Sequence, residues 1–321
     1  MKKKMVFLTL FVVIVSFMTG CTNGSPETAI HPKNAFTQFK DGTGKEITLQ
    51  KKPERMVVLN TEMQSLMFQI DAKNVVGISS AAGFPIPKGA ESIQSVGQIQ
   101  NVNVEKIVSL KPDLVIGNLF FHANLKETLA ANRIPLALFS IKTVPDLTSA
   151  ATLLGKITEK EKQTQEALEQ TKLRMESMIA KLPNRKTKFA TLTFMPNSVT
   201  VQKSGSISLD IAQMLKLENV ASTLPSGLKG GAAPYSLEKL VELDPDVLFL
   251  IVHGTQELGD QMLKKNMESN PSWGTLRAVK EKRVFFLPST LFVNSPGLQV
   301  DQSLEYMAKL VYPDVYGQVQ K

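Results

Sequence analysis

Apolar and polar positions along this chain switch repeatedly between a period of two and a period near 3.6. The stretch FTQFKDGTGKEITL, residues 36–49, alternates around Asp41-Gly42 and predicts a hairpin. An apolar run RMVVLN ending at Asn60, a helical stretch from Thr61 and a second run NVVGIS then read as a βαβ unit. One phrase occurs twice: VEKIVSLKPDLV, from Val104 to Val115, returns as LEKLVELDPDVL, from Leu237 to Leu248. In each copy Asn103 or Ser236 stands as an N-cap, its side-chain oxygen able to accept from a first-turn amide. Glu105 and Glu238 fall in that turn, where the helix dipole favours negative charge. Apolar residues at 104, 107 and 108 match those at 237, 240 and 241, and Pro112 and Pro245 end the helix. DLVIGN and DVLFLIV follow as buried strands, so each copy is a short helix feeding a central strand of an α/β sheet.

Between the copies, Lys156 to Leu182 contains neither Gly nor Pro, and Leu168, Met175, Met178, Ile179 and Leu182 mark one helical face. Such a helix would extend about 40 Å. After Pro183 a new α/β series begins. It comprises KFATLTFM, the helix SLDIAQMLKL, the second copy, a helix near Glu257 to Met267, the strand RVFFLP and a last helix around Val300 to Leu310. The expected organisation is an N-terminal α/β lobe at 36–155, a bridging helix at 156–183 and a C-terminal α/β lobe at 184–321.

The first residues change the picture. Lys2 to Lys4 precede a mostly apolar run from Met5 to Met18, too short to span a bilayer comfortably but suited to an export signal over residues 1–20. The following FMTGC resembles the lipobox of bacterial lipoproteins, which implies cleavage before Cys21 and a lipid on its sulfur. Cys21 is the only cysteine and so has no disulfide partner in the chain. Residues 21–35, polar and containing two prolines, read as a tether. The expectation is an exported protein anchored to the outer face of a bacterial cell membrane. Removing the three signal lysines takes the formal charge from +8 to +5, with no basic and aromatic interleaving of the kind that binds nucleic acid. At 43% hydrophobic and 21% charged, the chain has an ordinary globular composition.

Two α/β lobes bridged by one helix, together with the repeated phrase, resemble the class III substrate-binding proteins of ABC importers. The phrase is similar to that family's N-E-x-I/L-x-x-L-x-P-D signature, found once per lobe. The resemblance covers essentially the whole mature chain and implies capture of an iron siderophore, haem or cobalamin in a cleft between the lobes. It also implies docking on a permease dimer through Glu105 and Glu238, and a monomeric protein. A metal-cofactor enzyme is the reading from another class, but HExxH, GxSxG and P-loop motifs are all missing from the sequence.

In open α/β lobes ligands bind beyond the carboxyl ends of strands, which selects Phe120, Phe121 and His122 in the first lobe and His253 in the second. Loops around Phe84, Met195, Tyr235 and Phe292 join the same edges, giving an apolar, aromatic mouth. The six arginines all fall away from these edges, which argues against a strongly anionic ligand, although Lys88 and Lys229 could partly substitute. The segment from Ile251 to Pro288 resembles the C-terminal lobe of haem-binding lipoproteins of the Isd type, and the match makes His253 an iron ligand of bound haem, with Val252 in place of the family's proline. Gln100 stands where that family has its axial methionine, and an amide is a poor ligand for haem iron. His122, Met63 and Met195 are then candidates for the opposite axial position. A ferric siderophore or cobalamin remains the alternative ligand.

Overall fold

The computed structural model describes residues 35–81, 84–225, 227, 231–293 and 296–319. The export segment, residues 21–34 of the tether with Cys21, and Lys229 lie outside the described residues. A hairpin of β1 (Thr37–Lys40) and β2 (Glu46–Leu49) opens the fold. One Asp41 carboxylate oxygen accepts from the amides of Thr43 and Lys45 and the Thr43 hydroxyl, while the other accepts from the Leu138 amide. The turn is thereby fastened to the first sheet's edge.

The first lobe runs β3 (Met56–Val58), α1 (Thr61–Gln69), β4 (Val75–Ser80), β5 (Gln94–Gln98), β6 (Asn101–Val102), α2 (Val104–Ser109), β7 (Leu114–Asn118), α3 (Lys126–Ala131) and β8 (Leu136–Phe139). Its sheet has the order β6-β5-β4-β3-β7-β8 and is parallel except for β6. After α4 (Val144–Thr158) and α5 (Glu161–Ile179), the second lobe follows with β9 (Lys188–Met195), β10 (Ser198–Gln202), α6 (Ile207–Met214), β11 (Glu218–Asn219) and β12 (Ala232–Pro234). It continues through α7 (Leu237–Leu243), β13 (Val247–Val252), α8 (Gln256–Leu263) and β14 (Val284–Phe286). Its sheet is ordered β12-β10-β9-β13-β14, with β9, β13 and β14 parallel and β11 beside β9. The two copies of the repeated phrase are α2 with β7 and α7 with β13. Asn103 and Ser236 cap them, accepting from the Lys106 and Lys239 amides.

The bridging helix is shorter than residues 156–183. α5 covers Glu161–Ile179, about 28 Å at 1.5 Å per residue, and Lys156 to Thr158 belong to α4. Glu159 adopts a left-handed conformation at φ +58°, and the Lys160 amide donates back to the Gly155 carbonyl, closing α4. Gly155 makes the sharp turn possible, because a Cβ there would stand 2.8 Å from the Thr164 hydroxyl on α5. A glutamate serving as a left-handed cap carries no compositional signal, which is why an uninterrupted helix is expected from the sequence.

Alternation along the strands divides the core. Met56 and Val58 point inward and join α4, α5, Phe189, Phe249 and the helix Val300–Val311 in one continuous apolar cluster. Val57 and Val115 point to an outer cluster in the first lobe, and Leu248 and Leu250 to another in the second. The lobes thus share a core. The turn before the helix Val300–Val311 is held from both sides: the Gln69 amide donates to the Pro296 carbonyl and accepts from the Leu298 amide, and the Thr171 hydroxyl donates to the Leu298 carbonyl. Arg174 of α5 also pairs with Asp301. Little hinge freedom is left between lobes tied in this way.

Candidate functional site

A cleft of about 740 Å³ opens where both sheets present the carboxyl ends of their strands. Phe84 follows β4, Phe120 and Phe121 follow β7, and Ser140 to Lys142 follow β8; from the other lobe come Met195 at the end of β9, Gln202 at the end of β10 with Ser206 beyond it, His253 after β13, and Phe292. The open-sheet rule explains the position: backbone groups at these ends are not consumed by the ladder, and successive loops converge. Phe120 and Phe121 meet edge to face at 4.9 Å, and Phe120 is 76% exposed, so an aromatic face is presented to solvent.

His253 continues β13. Its amide donates to the Phe194 carbonyl, and no group among the described residues hydrogen-bonds its ring. Protein crowding around the cleft disfavours the charged imidazole and lowers its pKa. The ring is thus a neutral donor, accessible and unpartnered, which is the form that binds a metal.

His122 contrasts with it. Its side chain is 1% exposed; Nδ1 accepts from the Asn118 amide at 2.8 Å, which leaves Nε2 as the protonated nitrogen donating to the Ile99 carbonyl at 2.9 Å. Burial lowers its pKa, partly opposed by the Ile99 bond. Both nitrogens are committed, so the reading of His122 as an axial ligand is wrong: it ties the Phe120–Phe121 loop to the end of β5. Met63 is also corrected, being fully buried in the shared core on the inner face of α1. Tyr235 is not in the cleft; it packs on the outer core of the second lobe, where burial pushes its phenol up to about 12. Met195 does line the cleft, but Phe194 and Val252 are register partners on adjacent parallel strands, so Met195 and His253 rise side by side from one wall. Axial ligands lie on opposite faces of a macrocycle, so Met195 does not stand opposite His253. Gln100 lies across, exposed in the first-lobe wall.

Several cleft residues went unnoticed in the sequence. Gln202 accepts from the Ser206 and Ser208 hydroxyls and donates to Thr193, a polar net on the second-lobe wall. Among the described residues, Glu62 is the carboxylic acid and Lys142 the lysine that line the cleft. Both follow strand ends, so the rule that selected Phe120 would have found them. None of the arginines lines the cleft: Arg174, Arg185 and Arg277 pair with acids, and Arg55 and Arg283 donate to backbone carbonyls. Lys88 borders a neighbouring groove beside Phe68 and Pro87.

Glu105 and Glu238 are exposed in the first turns of α2 and α7, and neither has an ion-pair partner among the described residues.

Two α/β lobes with a cleft at their strand ends define a solute-binding protein. Residues 57–291 match the periplasmic binding protein family, and the chain belongs to that family, the substrate-binding proteins of ABC importers rather than enzymes. It is 23% identical to the uncharacterized ABC transporter substrate-binding lipoprotein YvrC of Bacillus subtilis, over 98% of this chain and 99% of that protein. Identity to the Fe(3+) dicitrate-binding periplasmic protein FecB of Escherichia coli is 26%, over 84% and 87%. Among solved structures, Staphylococcus aureus IsdE complexed with heme superposes with a TM-score of 0.68 at 21% identity, covering 80% of this chain and 98% of that one. A likeness at that identity establishes the fold.

Proposed function

We propose that the cleft captures a ferric complex, haem before others, and that His253 ligates its iron. The observation that carries this reading is a free imidazole in a cleft whose walls include Phe84, Phe120, Phe121, Phe292 and Ile141. A volume of about 740 Å³ falls within the roughly 300–1,000 Å³ of typical small-molecule sites. Imidazole is a good donor to haem iron, and apolar walls suit a flat macrocycle. The similarity to IsdE, whose solved structure is a heme complex, points the same way. With Met63 and His122 committed to structure and Met195 beside His253, His253 is the one candidate axial ligand left of those four. A neutral ferric siderophore or cobalamin is the second reading, favoured by the amides of Gln100, Asn118 and Gln202 along the rim.

Loaded protein then docks on its permease through Glu105 and Glu238, two equivalent carboxylates on two equivalent lobes that suit a two-fold partner. The lipobox makes Cys21 the anchor that holds the protein on the outer membrane face.

Titration of the purified protein with haemin tests the ligand. The wild type should give a Soret band of a histidine-ligated five-coordinate iron. His253→Ala should shift that band and speed haem loss by about tenfold or more, the factor that one lost bond worth roughly 1.4 kcal/mol represents. A variant with the wild-type spectrum and off-rate would falsify the assignment of His253.

A further inference from the structure

Phe120 is 76% exposed, more than any other large apolar side chain among the described residues. A phenylalanine left in water forfeits the stabilisation that burial would give it. The loop that carries it is nevertheless fastened closely. The Leu119 amide donates to the Phe139 carbonyl at 2.8 Å and the Phe120 amide to Asn118 Oδ1 at 2.9 Å, while His122 closes the turn between the Asn118 amide and the Ile99 carbonyl. The ring therefore stands on a fixed backbone at the mouth of the cleft. Phe121 meets it edge to face, with the two planes at 89°, and a contact of that kind covers at most one broad face of Phe120. A ring held in this way receives a flat partner at little cost in ordering.

His253 belongs to the second-lobe wall and Phe120 to the first. A planar macrocycle bonded to His253 through its central metal lies across that bond and turns its other face toward the first lobe. Resting on the reading of the cleft as the ligand site, we infer that Phe120 is a stacking platform for that face, and that the cleft recognises the plane of a tetrapyrrole whether or not iron occupies it. Stacking and apolar burial act on the π surface of the ring rather than on the metal, so the contribution of Phe120 is separate from that of the His253 bond. The accepted ligands then include porphyrins without a metal. A hydroxamate siderophore wraps its iron in an octahedron of oxygens and has no extended aromatic plane, so Phe120 gives it little.

Metal-free protoporphyrin IX keeps the plane and carboxylates of haem without the iron, and its fluorescence titration into wild type, Phe120→Ala, Phe120→Leu and Phe120→Trp tests this. Because the ring is exposed, the substitutions should leave the fold intact, which equal denaturant midpoints verify. Wild type should bind the porphyrin saturably. Phe120→Ala should weaken that binding by about tenfold, and Phe120→Leu, which keeps apolar bulk without a ring, by about threefold to tenfold. Phe120→Trp should stay within about threefold of wild type. Haemin should leave Phe120→Ala faster than wild type with its Soret position unchanged, because the iron bond remains. A wild type that does not bind metal-free porphyrin, or an alanine or leucine variant that binds it as wild type does, overturns the inference. The metal-free arm separates it from the ligand assignment. Porphyrin binding that depends on Phe120, in a protein whose haemin spectrum is indifferent to His253→Ala, sinks the iron ligand and leaves the platform in place. A haemin spectrum that depends on His253, with no porphyrin binding, sinks the platform alone.

Discussion

His122 follows β7 by four residues and His253 follows β13 directly; only the first of these rings has both nitrogens committed, and His122→Leu tests that sharply. Leucine replaces the ring with an apolar side chain of similar size but can neither accept from the Asn118 amide nor donate to the Ile99 carbonyl. Both backbone groups surround a side chain that is 1% exposed. Each buried group left unpaired costs about 1–3 kcal/mol, so the variant should lose roughly 2–5 kcal/mol of stability. Denaturant unfolding of apo protein measures it as a lower midpoint at unchanged slope. The Soret position of haem bound to the folded variant should match wild type, because no iron bond is lost. The pH profile gives an independent check. His122 is held neutral, with its pKa below the ordinary value of 6.5, so its contribution is fully present above that value and is lost as pH falls through the folded pKa. Acid destabilisation beginning below about 6.5 should therefore be weaker in His122→Leu than in wild type, while the lowered pKa of His253 acts in the same direction in both. A leucine variant within about 0.5 kcal/mol of wild type that has lost the normal haem spectrum would refute this assignment and restore His122 as a ligand.

Charge reversal at both Glu105 and Glu238 should abolish uptake in cells while leaving the binding isotherm unchanged, since both are exposed on outer helices; a parallel loss of affinity measured by calorimetry would place them in the wrong role. Asp41→Ala should cost about 2–4 kcal/mol in denaturant unfolding, because four donors lose their acceptor. Burial alone would raise the Asp41 pKa, but bonds from Thr43, Leu138 and Lys45 outweigh it and hold the group below its ordinary 3.8. Its stabilising contribution is accordingly complete above that value and is lost as pH falls further, so the difference between wild type and Asp41→Ala should narrow in strong acid.

The shared core has a consequence for how the cleft works. Lobes with separate cores joined by one strut could close around a ligand at little cost. Here Met56, Phe249 and Leu304 belong to one apolar cluster, and Gln69 reads the backbone of residues 296–298 in both directions. Opening the lobes would expose that cluster and break both amide bonds, at a free energy that binding would have to supply. A largely preformed cleft follows, and with it a fixed distance between Glu105 and Glu238 whether the cleft is filled or empty.

What the sequence made legible followed from periodicity. The repeated phrase placed α2, β7, α7 and β13 because caps, stripes and proline stops are local signals that agree with the tertiary fold. Strand ends gave most of the cleft wall for the same reason. The long helix was misjudged where Glu159 adopts a left-handed conformation that its side chain does not advertise. The two histidines show where local signals stop. Each follows an apolar strand, His253 directly and His122 by four residues, and nothing in the flanking sequence says which ring is committed. Their difference is set by partners distant in sequence: Ile99, brought back beside β7 by the fold, occupies the ring of His122, whereas His253 faces open cleft. Whether an imidazole serves structure or ligand is decided by which carbonyl arrives opposite it, and only the packed fold determines that.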